Sequence, residues 1–194
     1  MCKIIVMANQ KGGVAKTSST RNLAYSLAEL GKKVLAVDFD PQTNLTISFG
    51  VAPAALQETA ASLMMKLVMD EALPEKESCI LNIGKVDLLP SKKTLTVAEV
   101  NLLIERKDDC LAKLLAPLRA DYDYILVDTG PSLGSLTINA FTAADEIIIP
   151  VDPELFALVG LKELTETISK IKQNLNPKVE IIGILFTKCS KRTT

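Results

Sequence analysis

A chain of 194 residues that is 48% hydrophobic and 23% charged holds enough apolar material for a sizeable core within one ordinary globular domain. Its formal net charge of -1 provides no global attraction to nucleic acid, so any such contact needs a local basic patch. The chain contains no histidine, which excludes Ser-His-Asp hydrolysis, HExxH zinc chemistry and histidine phosphorelay. Carboxylates, lysines, hydroxyls and a bound metal are left to carry any reaction.

The opening MCKIIVMANQ is too short for a signal peptide or a membrane helix, and KIIVMA from Lys3 predicts a strand. ANQKGGVAKTSS, Ala8 to Ser19, then nearly spells the phosphate loop GxxxxGK(S/T). Gln10 and Ala15 stand where that pattern wants glycine, and a second lysine, Lys11, precedes Lys16. A strand, a glycine-bearing turn and a helix in this order aim backbone N–H groups at anionic oxygens. Lys16 would neutralise β- and γ-phosphates and the Thr17 hydroxyl would ligate Mg²⁺. The blander alternative is a turn that uses Gly12 and Gly13 only to reverse direction. If Ala15 takes a positive φ, the cost is on the order of 1 kcal/mol.

Leu23, Leu27 and Leu30 with Ala24 and Ala28 form one apolar face of a helix that opens near Lys16 and stops at Gly31. KVLAVD from Lys33 predicts the second strand. It leads into DFDPQTNLT, where Asp38 and Asp40 emerge at the carboxyl end, the ligand edge of an open α/β sheet, and Pro41 sets the turn. In the middle of the chain, ALQETAASLMMKLVMD predicts a helix and CILNIGKVDLLPS a small hairpin or two short strands. TVAEVNLLIERKDDCLAKLLAPL predicts a helix with an interruption. YDYILVD from Tyr122 ends in Asp128, a Walker B arrangement in which a strand-end carboxylate holds Mg²⁺ directly or through water. EIIIPVD from Glu146, a helix striped by Leu161, Leu164, Ile168, Ile171 and Leu175, and VEIIGILFT from Val179 complete the chain. Apolar runs alternating with helical stretches define an α/β fold, a doubly wound, mostly parallel sheet with helices on both faces. Cys2, Cys79, Cys110 and Cys189 form no CxxC pair, a pattern of reduced thiols in a cytoplasmic protein.

KGGVAKT, Lys11 to Thr17, resembles the deviant Walker A motif of the ParA/MinD group of ATPases, in which the early lysine is the signature. DFDPQTN matches the family's DxDPQxN segment, and DTGPS stands where the family usually has DxPPS, with Gly130 in place of proline. The resemblance implies ATP and Mg²⁺ as cofactors. It also implies a homodimer formed on ATP binding, in which Lys11 reaches the nucleotide of the other subunit. It assigns catalysis to Lys11, Lys16 and Asp40, and nucleotide binding to Lys11, Gly12, Gly13, Val14, Ala15, Lys16, Thr17 and Ser18. Metal binding falls to Thr17, Asp38 and Asp128, with Asp38 supporting the metal shell. Past the last strand, Thr187, Lys188 and Ser190 stand where related GTPases carry (N/T)KxD. Serine in place of the aspartate favours adenine over guanine, with Thr187 and Lys188 as nucleotide contacts.

The same resemblance implies a DNA-partitioning switch of the ParA/Soj type that binds nonspecific DNA and is stimulated by a ParB-like partner. Lys188, Lys191 and Arg192 supply a small basic cluster for phosphate contact. It implies residues 1–194 as a single ATPase domain of the small ParA type, short of the family's C-terminal part. A MinD-like membrane switch needs an amphipathic C-terminal helix with basic and apolar faces; the sequence shows none, which argues against membrane association. That switch, and a metabolic or redox relative on the same scaffold, remain the alternatives.

Overall fold

The computed structural model describes residues 2–153 and 157–189, without the side chains of residues 157–159. Its elements run β1 (Lys3–Met7), α1 (Lys16–Glu29), β2 (Val34–Phe39), α2 (Asn44–Ser48), α3 (Ala60–Val68), β3 (Leu81–Ile83) and β4 (Val86–Leu89). They continue with α4 (Leu95–Glu105), α5 (Cys110–Leu115), β5 (Tyr124–Thr129), α6 (Ser135–Ala143), β6 (Glu146–Val151), α7 (Ala157–Asn174) and β7 (Glu180–Phe186). The strands form one seven-stranded sheet in the order β3-β4-β2-β5-β1-β6-β7. Every pairing is parallel except β3 with β4, so the hairpin expected at Cys79–Ser91 is present and its second strand joins the main sheet.

Successive side chains of a strand face opposite ways, and the central strands use both directions for burial. Ile4, Val6, Leu35, Val37, Ile125 and Val127 pack into a core shared with α3 to α7. Ile5, Val34, Ala36 and Leu126 pack on the other side with Ala24 and Ala28 of α1 and Leu45 of α2. This two-sided burial explains why the strands read as continuous apolar runs. Each fully buried Leu or Ile contributes about 1.5–3 kcal/mol.

The helix limits follow local signals. α1 stops at Glu29, two residues before Gly31, whose φ is +78°. α3 is shorter than the sequence suggests because Thr59 caps it in a capping box with Ser62, after a separate 3-10 turn at Pro53–Ala55. The interruption expected between α4 and α5 is Arg106, left-handed at φ 52°. α7 buries Leu164, Ile168 and Ile171, as its stripe predicts, whereas Leu175 is 41% exposed. At the sheet edge β7 leaves Ile182, Ile184 and Phe186 exposed.

Candidate functional site

All parallel strands deliver their carboxyl ends to one edge, and the loops after β1, β2 and β5 meet there. A cleft of about 540 Å³ is lined by Gly12, Gly13, Ala15, Lys16, Thr17 and Ser18 on one side. Asp40, Gln42, Asn44, Pro131 and Lys188 line the other.

The loop after β1 is held by its own polar groups. Asn9 donates from Nδ2 to the Pro150 carbonyl at 2.6 Å and accepts from the Lys11 amide at 2.9 Å. Lys16 is only 7% exposed, and its Nζ donates to the carbonyls of Asn9 at 2.9 Å and Lys11 at 3.2 Å. Burial pushes its pKa down, an effect opposed by the charges of Asp128 and Asp40. Ala15 sits at φ 64° and Gly13 at φ 74°, so Ala15 takes the left-handed backbone its position suggests. The N-terminus of α1 has no side-chain cap and no acidic residue in its first turn. Its first amides and the positive end of the helix dipole therefore open onto the cleft, which is anion-binding chemistry. Val14 is buried and Ser18 exposed.

Asp128 and Asp38 are register partners on β5 and β2, and both are fully buried. Thr17 Oγ1 donates to Asp128 Oδ2 at 2.6 Å, and Thr20 Oγ1 lies 3.3 Å from Oδ1. Burial pushes the Asp128 carboxyl up to about 7, against the Thr17 hydrogen bond and with the Asp38 and Asp40 charges adding to the rise. Asp38 rises to about 6, also by burial. Both of its oxygens are engaged inside the protein. Oδ2 accepts from the Thr46 amide at 2.7 Å and hydroxyl at 2.5 Å, and Oδ1 from the Asp40 amide at 3.2 Å. Thr46 Oγ1 in turn accepts from the Ser91 amide at 2.9 Å. Asp40 is 6% exposed and accepts from the Gln42 amide at 2.9 Å. Thr43, next in this loop, is left-handed at φ 59°, an outlier for a β-branched residue of the kind that clusters at functional sites.

Lys11 and Gly12 are exposed on the rim. At the end of β7, Thr187 Oγ1 lies 3.2 Å from the Val14 carbonyl, and Lys188 Nζ is 3.5 Å from Asp152 Oδ2. That ammonium sits 4.0 Å from the point a Cβ on Gly13 would occupy. Ser190, Lys191 and Arg192 lie outside the described residues. The sequence reading missed Thr20, Asn9 and Thr46. Thr20 was accessible, since it lies one helical turn after Thr17 and faces the same carboxylate. Nothing in the spelling of the loop marks Asn9.

A strand, a glycine-bearing loop and a helix opening in Lys-Thr, beside a strand-end aspartate that accepts from that threonine, define a P-loop nucleoside triphosphatase. A family model described as an AAA domain (AAA_31) matches residues 2–181. The sporulation initiation inhibitor protein Soj of Bacillus subtilis is 38% identical over 194 residues, covering 100% of this chain and 75% of Soj. A plasmid partition protein of Borrelia burgdorferi superposes with a TM-score of 0.84 at 32% identity, over 100% of this chain and 83% of that one. A structure described as cobyrinic acid a,c-diamide synthase from Mycobacterium smegmatis, with bound ADP and magnesium, superposes with a TM-score of 0.92 at 36% identity, over 100% and 78%. The chain belongs to the family of ParA/Soj-type partitioning ATPases. It spans 59% of the length of an uncharacterised Mycobacterium tuberculosis relative, to which it is 42% identical over 98% of its own residues.

Proposed function

We propose that this chain is an ATP-dependent dimerising switch of the ParA/Soj type. In this reading it binds MgATP, pairs with a second copy across the nucleotide, and hydrolyses slowly to release DNA. The observation that carries the reading is the buried Lys16 ammonium beside an uncapped α1 N-terminus, with Thr17 bonded to Asp128 at 2.6 Å.

The residues present fit a triphosphate with magnesium. Lys16 and the amides of residues 13–18 supply positive charge where phosphates would lie. Magnesium is ordinarily held by one or two protein oxygens plus phosphate and water, and Thr17 and Asp128 offer such a pair. Bound there, the ion would neutralise phosphate charge. Asp38, its oxygens committed to Thr46 and the Asp40 amide, supports this shell from behind by fixing the loop after β2. Asp40 orients or deprotonates the attacking water. Lys11, exposed on the rim, serves the nucleotide of the second copy, where a cation relieves repulsion between two phosphate-bearing faces. Thr187 and Lys188 close the loop side of the cleft and contact the nucleotide. Nonspecific DNA, a ParB-like activator and a cytoplasmic, nucleoid-associated location belong to the same reading. No helix among the described residues is long and apolar enough to cross a membrane.

Light scattering of Asp40→Ala with and without MgATP tests the switch. The expected result is a dimer with ATP that persists because hydrolysis is blocked, and the same dimer lost in Lys11→Ala. A monomer under all conditions, despite nucleotide binding measured by calorimetry, overturns it. Filter binding of DNA across a salt series then reads the DNA step, with an ATP-dependent, salt-sensitive complex expected. The synthase description of the M. smegmatis structure favours a second reading, an ATP-dependent amide-forming enzyme. That reading requires ATP consumption that depends on a carboxylic acid acceptor and is indifferent to Lys11.

A further inference from the structure

We infer that the outward face of α4 docks a second copy of this chain, the two helices lying antiparallel about a two-fold axis near Val100. Leu95, Ala98 and Leu102 seat α4 in the core at 0% exposure, while Val97 at 53%, Val100 at 52%, Leu103 at 70% and Ile104 at 67% face water. Steps of three and four residues put the exposed four on one stripe, opposite the buried three. A helix with one face in a core ordinarily turns polar side chains to solvent. α4 instead is aliphatic on both faces, and an exposed aliphatic patch of this extent marks an interaction surface.

The charges at the two ends of the stripe identify its occupant. Lys92 and Lys93 precede its amino end, and neither ammonium has a carboxylate partner among the described residues; Lys92 Nζ reaches only the Leu56 carbonyl. At the carboxyl end Lys107 is paired with Asp70, and Asp109 with Lys113. That leaves the carboxylates of Glu105 and Asp108 against the single cation Arg106, all three without an ion pair among the described residues. One end is positive and the other negative. An antiparallel second copy therefore sets Lys93 against Glu105 and Asp108, twice over by symmetry, and lays Val97 on Leu103 and Ile104, with Val100 facing itself. A parallel pair would set lysine against lysine. Two copies would bury roughly 800 Å² in this way, at the low end for specific interfaces, so the contact is weak. It needs no nucleotide and is independent of the switch proposed above.

Sedimentation equilibrium of the nucleotide-free protein tests the contact. A reversible monomer–dimer equilibrium is expected, with Kd on the order of 10–100 µM. Leu103→Glu is expected to weaken it at least about 10-fold. Lys93→Glu and Glu105→Lys, both at exposed positions, are each expected to weaken it about 3-fold, and the two together in one chain to restore it to within about twofold of wild type. Restoration by the double exchange is a result that damage to the fold cannot produce. Wild type that stays monomeric up to about 0.5 mM overturns the inference and leaves the stripe to a different partner. So does a Leu103→Glu variant that dimerises like wild type, or a double exchange that restores nothing.

Discussion

The two ends of the same sheet treat charge in opposite ways. At the carboxyl ends of β1, β2 and β5, Lys16, Thr20, Asp38, Asp40 and Asp128 are at most 7% exposed, with hydrogen bonds from Thr20 to the Lys16 carbonyl and Asp128 and from the Asp40 amide to Asp38. At the amino ends, charges pair in water. Lys3 meets Glu146 at 2.7 Å and Lys85 meets Glu29 at 3.0 Å, with side chains 20–65% exposed. Burying charge costs free energy that pairing seldom returns in full, while solvated pairs change stability little. The carboxyl end is therefore built at the expense of stability, which is what an anion-binding site requires and a structural ion pair does not.

The sharpest way to break this contrast is to remove the buried cation. Lys16→Ala is expected to weaken MgATP binding at least about 100-fold, or roughly 2.7 kcal/mol, by calorimetric titration. The melting temperature of the nucleotide-free protein should not fall. Substantial loss of nucleotide-free stability would mean that Lys16 is structural and the two ends do not differ. A buried polar group away from the cleft should behave the other way. Asn139 of α6 accepts from the Leu111 amide and donates to the carbonyls of Lys107 and Ser135, locking α5 to α6. Asn139→Ala leaves the Leu111 amide and the Lys107 carbonyl short of a partner, while the Ser135 carbonyl keeps the main-chain amide of residue 139 within α6. It is expected to cost about 2–3 kcal/mol in denaturant unfolding without changing nucleotide affinity.

These two residues also show what a sequence can reveal. Lys16 was legible because phosphate chemistry fixes its spacing from a strand and a glycine turn, and the mostly parallel, doubly wound sheet followed from apolar runs buried on both faces. Asn139 was not, since an asparagine inside a helical stretch gives no sign of which amides it meets in three dimensions. The direction of the Asp38 carboxylate was equally hidden. Its position at a strand end marks it for the site, but only the fold places Thr46 where it takes up Oδ2. The late start of α3 escaped notice because the Thr59–Ser62 cap lies inside a stretch of helical composition.

Acid titration separates the two ends at intermediate size. Between pH 3.8 and about 7 the folded chain holds a proton on Asp128 that the unfolded chain has released. Asp38 does the same up to about 6. Bound protons then favour the folded state, so stability contributed by these groups falls as pH rises through this window and is gone above it. Asp128→Asn keeps an oxygen for the Thr17 hydroxyl and removes the charge. At pH 8, without nucleotide, it is expected to be more stable than wild type by about 1–2 kcal/mol, with a flatter stability profile from pH 5 to 8. Magnesium-dependent nucleotide binding should be lost in the same variant. Equal pH profiles would show that the carboxylate is stabilised, not strained, by its surroundings.

The smallest effect comes from the other end. Lys85 Nζ stands 3.0 Å from both oxygens of Glu29, close to ideal geometry, yet the side chains are 62% and 65% exposed. Water screens the attraction, and fixing two long side chains costs rotamer entropy that offsets most of the remainder. Lys85→Ala is therefore expected to change stability by less than about 0.5 kcal/mol, and to do so equally at low and high salt within error. If it costs more than about 1 kcal/mol with strong salt dependence, the amino-end pairs hold the hairpin of β3 and β4 to α1. The division of labour between the two ends of the sheet then dissolves. A null result would leave the buried groups at the carboxyl end as the only charges in this contrast whose removal changes both stability and ligand binding.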